Sequence, residues 1–358
     1  MAKIRVVITD DSSLARGLLR DFLESEEDIE VVGEAENGQQ AIDLARELKP
    51  NLITMDLEMP VMDGMQAIEE IMFNKAVPIL VVSSVADAHN ALEAVRRGAL
   101  EVVRKPDYTP EQAAEFVAKV RMLAGVAVIT RMRPRTPLIP APPIISATSS
   151  ISMPAIDPSR YSRIFAIACS TGGPQALAQI LPALPANFPC PIVIAQHISD
   201  GFAAGMADWL ATLCKMPVRL AIEGELLQAG IIYISPSERH FGISATRRVS
   251  LVERTATDIY HPSCDVLLSA AADVFGQNTV GIILTGMGHD GARGIAHIRA
   301  KGGVTLGQDE TSSIIYGMNR VAIEAGSVQH ILPVESFAGK MMQLATIPLT
   351  SPAMWGLS

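Results

Sequence analysis

Three short segments in the second half of the chain join a nucleophile, a base and an acid to buried-strand patterns. The first, IFAIACSTGGPQAL, runs through Ser170 into a glycine pair and a helical pattern opened by Pro174. A serine at such a turn stands at the carboxyl edge of a sheet, where glycines let the backbone approach a reacting carbonyl. The helix start beyond it offers free N–H groups and a positive dipole to a developing oxyanion. The motif is not G-x-S-x-G, and taken alone it fits a phosphate- or dinucleotide-binding turn equally well. The second segment, CPIVIAQHIS, sets His197 just past an apolar run. A lone histidine there is more often structural. If both strands share one parallel sheet, however, His197 can take the serine proton and return it to a leaving alcohol. The third, VGIILTGMGHDGARG, places His289 and Asp290 among glycines. Asp290 can orient an imidazole and stabilise its cation, completing a Ser–His–Asp set. His289 is a rival base, and a glycine-rich turn with a capping aspartate is the plain alternative. Ser263, in HPSCD ahead of a helical pattern, reads as an N-cap. His240, His297 and His330 show no metal-ligand spacing.

The first half carries a different chemistry. Asp10 and Asp11 follow one apolar run, Asp56 follows the third, Ser83 ends the fourth, and Lys105 follows the fifth, just before Pro106. Acids after strands often serve only as solvated groups or caps. Five such residues at the strand ends of one sheet point instead to a site. Carboxylates held together need a compensating cation, and their oxygens suit Mg²⁺. The set is what an aspartyl-phosphate site requires: Asp56 as nucleophile, a metal and Lys105 against the phosphoryl oxygens, and Ser83 sensing the group's arrival.

These residues need strand ends to stand on, and the patterning supplies them. Apolar runs at 4–9, 30–33, 52–55, 78–82 and 101–103 alternate with amphipathic stretches, the first carrying Leu14, Leu18, Leu19, Phe22 and Leu23. Five β–α units predict a parallel sheet covered on both faces, with ligands beyond the carboxyl ends of the strands. Runs at 164–169, 192–196, 231–234, 280–285 and 303–306, interleaved with helical patterns, predict a second α/β domain with a mostly parallel sheet. Between the two, Arg131 to Pro158 holds seven prolines and a Ser/Thr cluster, the composition of an extended connector. The expected domains are therefore 1–130, a linker at 131–158, and 159–350. The 358 residues, 49% hydrophobic, suffice for two cores. A net charge of −9 argues against a generic nucleic-acid binder. Four cysteines without C-x-x-C spacing suggest neither a disulfide framework nor a structural metal. No secretory pattern and no apolar run of ~18–20 residues is present, so the chain is expected to be soluble and not membrane-inserted.

Residues 1–124 resemble a response-regulator receiver domain, carried by VVITDDSS, LITMDLEMPVMDG, VVSS and RKP. The resemblance implies a flavodoxin-like (βα)5 fold and phosphorylation of Asp56 by a histidine kinase. It also implies Mg²⁺ held by Asp11, Asp56 and the Glu58 carbonyl beside Asp10. Val102 stands where many receivers carry an aromatic residue. The second domain is similar to the catalytic domain of chemotaxis protein-glutamate methylesterases, the CheB family, through ACSTGGP, QHI, HPSCDVLLSAA, LTGMGHDGARG, QDETSSIIYGM and AIEAG. That similarity implies Ser170 as nucleophile, His197 as base and Asp290 as its orienting acid, with Thr171 and the Met287 backbone near the oxyanion. Asn319 stands where proline is common. The implied activity is phosphorylation-activated hydrolysis of glutamyl methyl esters on cytoplasmic helices of chemotaxis receptors. Glutamine deamidation is a second implied activity, and no cofactor is needed for hydrolysis. The architecture further suggests that the unphosphorylated receiver blocks receptor access. Rival readings are a non-enzymatic binding module, or a hydrolase of some other ester.

Overall fold

In the computed structural model, residues 3–346 are described except 75, 85–87, 108, 127, 129–160, 162, 256–257 and 259. The predicted connector at 131–158 thus lies outside the described residues.

The N-terminal half alternates strand and helix throughout: β1 Ile4–Thr9, α1 Ser13–Glu24, β2 Ile29–Ala35, α2 Gly38–Leu48 and β3 Leu52–Met55. It continues with α3 Gly64–Asn74, β4 Ile79–Ser83, α4 Ala88–Arg97, β5 Glu101–Arg104 and α5 Pro110–Ala124. The sheet order is β2-β1-β3-β4-β5, the doubly wound order whose chain reversal lies between β1 and β3. Polar side chains start the helices: Ser12, Asn37 and Thr109 each accept from a first-turn amide, contacts of ordinarily about 1 kcal/mol each. One expectation fails in α1. Leu19 and Leu23 are buried, but Leu14, counted in the same apolar stripe, is 73% exposed, because the core begins one turn further on.

The C-terminal half is built on a larger sheet. Its elements begin with β6 Ile164–Cys169, α6 Gly173–Ile180, β7 Ile192–Gln196, α7 Phe202–Leu213, β8 Val218–Leu220, β9 Ile232–Ile234, β10 Arg239–Ile243 and β11 Val249–Glu253. They end with α8 Cys264–Phe275, β12 Thr279–Ile283, α9 Ala292–Ala300, β13 Val304–Gln308, α10 Met318–Glu324, β14 His330–Leu332 and α11 Phe337–Thr346. Seven strands pair in the order β14-β13-β12-β6-β7-β9-β8, with every pair parallel. β10 and β11 form a separate antiparallel hairpin. β6 shows why its sequence reads as an unbroken apolar run: Phe165, Ile167 and Cys169 enter one core, Ile164, Ala166 and Ala168 the other. The second core also receives Cys264, Leu267 and Leu268 of α8 and Ile295 of α9. The chain runs from β6 outward to β7 and later returns to place β12 on the other side of β6. The carboxyl ends of β12, β6 and β7 therefore surround the crevice where such sheets bind ligands.

Candidate active site

Strand register brings the first two segments together. Cys169 pairs with Gln196 across β6 and β7, so Ser170 and His197 are the next residues on adjacent strands. The His197 amide donates to the Cys169 carbonyl at 3.0 Å, and the Ser170 amide to the Thr285 carbonyl at 3.1 Å. The loop after β12 closes on the serine from the other side. A Cβ added to Gly286 would lie 2.5 Å from the Ser170 Cβ, so only glycine lets this loop approach so closely. Gln196, not singled out from the sequence, ties the two strand ends: its Nε2 donates to the Ser170 and His197 carbonyls, both at 2.8 Å. The QHI motif carried that signal.

Asp290 completes the arrangement. Its Oδ2 accepts from His197 Nε2 at 2.8 Å and from the Cys264 amide at 2.6 Å. Its Oδ1 accepts from the Asp265 amide at 2.9 Å and the Ser263 hydroxyl at 3.1 Å. Burial pushes this carboxyl up, but the His197 hydrogen bond and charge and the α8 amides outweigh it and hold it below the ordinary value. An ionised carboxylate can only accept, so Nε2 is the ring nitrogen that donates to Asp290, and Nδ1 is the position open to act on a proton. Among the described residues, no hydrogen bond joins the Ser170 hydroxyl to His197. Ser170 and Asp290 are buried, and His197 is partly exposed.

The expected N-cap role of Ser263 is present, its hydroxyl accepting from the Val266 amide at 3.4 Å, but the same hydroxyl also serves Asp290. Asp265 returns the exchange. It accepts from the Gly291 and Gly294 amides at 2.9 and 2.7 Å, so α8 and α9 each cap the other's start. Buried His240 accepts from the Ser263 amide at 2.9 Å and faces Asp258 at 3.0 Å. The Thr255 amide, then His240, hold Asp258 down to about 2. Thr171 is buried beside the serine, its carbonyl accepting from the Thr285 hydroxyl at 2.9 Å, while Met287 stands exposed in the β12 loop. The rival base His289 is exposed, and its polar contact is the Tyr260 hydroxyl, 3.5 Å from its Nδ1. Tyr260 also lies flat against His197, with ring centroids 5.0 Å apart. Asn319 is buried and donates to the Gln308 carbonyl at 2.9 Å, bracing α10 rather than the triad.

In the N-terminal half, the oxygens of Asp10, Asp11 and Asp56 lie within 4.8 Å of one another at the ends of β1 and β3. The Asp56 amide donates to the Thr9 carbonyl at 2.9 Å, and a Cβ on Gly64 would meet the Asp56 carbonyl at 2.1 Å. Three carboxylates suit a hard divalent cation such as Mg²⁺. The exposed Glu58 side chain is not in this cluster. Ser83 ends β4, and its carbonyl accepts from the Lys105 amide at 2.9 Å. Arg16, missed in the sequence, is buried and donates to the Asp10 and Asp11 carbonyls at 2.9 and 3.3 Å. Val102 is buried on β5, an aliphatic side chain.

A (βα)5 domain with an acidic strand-end cluster, followed by a parallel-sheet domain with a Ser, His and Asp at adjacent strand ends, defines a receiver-linked hydrolase. Residues 6–117 match the family described as response regulator receiver domain, and residues 165–341 the one described as CheB methylesterase. A protein-glutamate methylesterase/protein-glutamine glutaminase of Paramagnetospirillum magneticum is 52% identical over 343 residues, 96% of each chain. Another of Myxococcus xanthus is 37% identical, covering 94% of this chain and 96% of its own. The crystal structure of the Thermotoga maritima CheB methylesterase catalytic domain matches with 34% identity and a TM-score of 0.50, over 52% of this chain and all of that one. The chain belongs to the CheB methylesterase family and carries a receiver domain ahead of its methylesterase domain.

Proposed function

We propose that this protein hydrolyses γ-glutamyl methyl esters on chemotaxis receptors, releasing methanol, and deamidates glutamine at the same kind of site. The observation that carries this reading is the 2.8 Å His197–Asp290 hydrogen bond, one strand end from Ser170. In it, Ser170 Oγ adds to the ester carbonyl while His197 Nδ1 takes its proton. Asp290 stabilises the resulting imidazolium, and Thr171 and the Met287 backbone lie near the oxyanion. His197 returns the proton to the departing methanol, leaving a glutamyl ester on Ser170. Water, deprotonated by His197, then attacks that ester and restores the serine and a free glutamate. Glutamine follows the same course with ammonia leaving. No step calls for a cofactor.

Control is assigned to the receiver. A histidine kinase would supply phosphate to Asp56; Asp10, Asp11 and Asp56, whose oxygens cluster within 4.8 Å, would hold Mg²⁺ together with the Glu58 carbonyl. Lys105 and Ser83 contact the phosphoryl group. The cation would offset charge on the phosphoryl oxygens during transfer. Among the described residues no helix is long and apolar enough to cross a membrane; action on receptor helices from the cytoplasm is part of the proposal.

The test is methanol release from methylated receptor membranes by wild type and Ser170→Ala, each with and without Mg²⁺ and a small-molecule phosphodonor. Release should require Ser170 and rise with phosphodonor. Release by Ser170→Ala at the wild-type rate would sink the proposed nucleophile, and release indifferent to phosphodonor would sink the proposed control.

A further inference from the structure

We propose that Tyr260 is a positioning residue for this hydrolysis, holding the His197 ring by its face while Asp290 holds it by its edge. The inference rests on His197 being the base. The two rings lie 5.0 Å apart between centroids with planes 15° from parallel, an offset stack. The Nε2 edge of His197 meets Asp290 Oδ2 at 2.8 Å and Cys264 Sγ at 3.4 Å. A hydrogen bond at one ring atom leaves the imidazole free to swing about that bond. A nearly parallel ring stacked on its face removes this freedom and so aims Nδ1.

The stack also acts at one moment of the reaction. When His197 accepts the Ser170 proton it becomes a cation within 6 Å of an aromatic centroid, where the ring quadrupole attracts it. That attraction belongs to the charged state formed during the chemistry, so it raises kcat rather than tightening substrate binding. Tyr260 is itself held. Its ring meets His289 edge-on at 5.6 Å and 89°. A Cβ on Gly288 would lie 2.6 Å from the Tyr260 hydroxyl, so glycine at 288 leaves room for the phenol. His289, outside the triad, thereby becomes part of the clamp on the base.

The experiment uses the full-length protein with phosphodonor and methylated receptor membranes, comparing wild type, Ser170→Ala, Tyr260→Phe, Tyr260→Leu and Tyr260→Met. The two aliphatic variants should lose kcat about tenfold, equal to about 1.4 kcal/mol, with KM within about twofold. Tyr260→Phe keeps the ring face and should stay within about threefold of wild type. The His197 ring-proton resonance should keep its ring-current shift in Tyr260→Phe and lose it in the aliphatic variants. Wild-type kcat in a folded aliphatic variant overturns the proposal. So does a rise in KM at constant kcat, which would make Tyr260 a substrate contact. A Tyr260→Phe as poor as Tyr260→Leu, or a kcat loss with no change in the resonance, overturns it as well. Methanol release by Ser170→Ala would remove the underlying site assignment. An inert Ser170→Ala beside a fully active Tyr260→Leu removes only the stack.

Discussion

Asp290 accepts four hydrogen bonds through two oxygens, and that number decides what replacing it does. Asparagine has the same shape but one acceptor oxygen, so its NH₂ must face either His197 Nε2 and the Cys264 amide or the Asp265 amide and the Ser263 hydroxyl. Asp290→Asn should therefore lower kcat by about 10³–10⁴, the loss expected when a base is held in the wrong tautomer. Stability should respond to pH as well. A carboxyl whose folded value lies below its unfolded one stabilises the fold above the ordinary carboxylate range. That contribution is lost as pH falls through the folded value. Wild type should therefore lose stability below about pH 4 more steeply than Asp290→Asn. Denaturant midpoints measured from pH 7 to pH 3 check this, and parallel curves would mean that Asp290 does not titrate as described.

Two glycines on helices separate site geometry from helix propensity. Gly173 opens α6, and a Cβ there would come 2.0 Å from Gln196 Oε1, on the side chain that bridges the Ser170 and His197 carbonyls. Gly173→Ala should push Gln196 aside, misalign the two strand ends and cut kcat at least tenfold. Gly339 lies inside α11 with nothing within 4 Å of an added Cβ. Gly339→Ala should leave kcat unchanged and stabilise the protein by about 0.5–1 kcal/mol, from propensity and reduced unfolded-state entropy. Kinetics and thermal melting of the pair distinguish these effects. A Gly173→Ala enzyme with wild-type kcat would show that Gln196 does not position the site.

The two domains bring two separate chemistries to one chain, and control requires that one act on the other. If the receiver holds the esterase back until Asp56 is phosphorylated, removing residues 1–130 should raise phosphodonor-independent methanol release severalfold. The counterpart catalytic domain of Thermotoga maritima, matched over its whole length, crystallised as a separate piece. Melting of the truncated protein establishes whether the remaining domain is folded. A folded fragment with no gain in rate would eliminate restraint by the receiver.

The fold class and the candidate site were legible in the sequence because parallel strands buried on both faces read as unbroken apolar runs. The residue after each run is then placed at the functional edge. Ser170, His197, Asp10 and Asp56 follow that rule directly, Asp11 comes one residue later, and Asp290 lies in the loop beyond β12. Three-residue edge strands such as β8 and β14 are too short to carry a run, and the β10–β11 hairpin alternates with charged residues, so none of these was legible. Nor were Asp265 and Tyr260, whose partners lie far away in sequence, or Arg16, whose contacts with the Asp10 and Asp11 carbonyls depend on the path of the loop after β1. Sequence spacing determined which chemical groups reach the sheet edge. Tertiary packing alone decided which atom of each group is held and by what, because hydrogen bonds and ring stacks depend on positions that distant segments share only once folded.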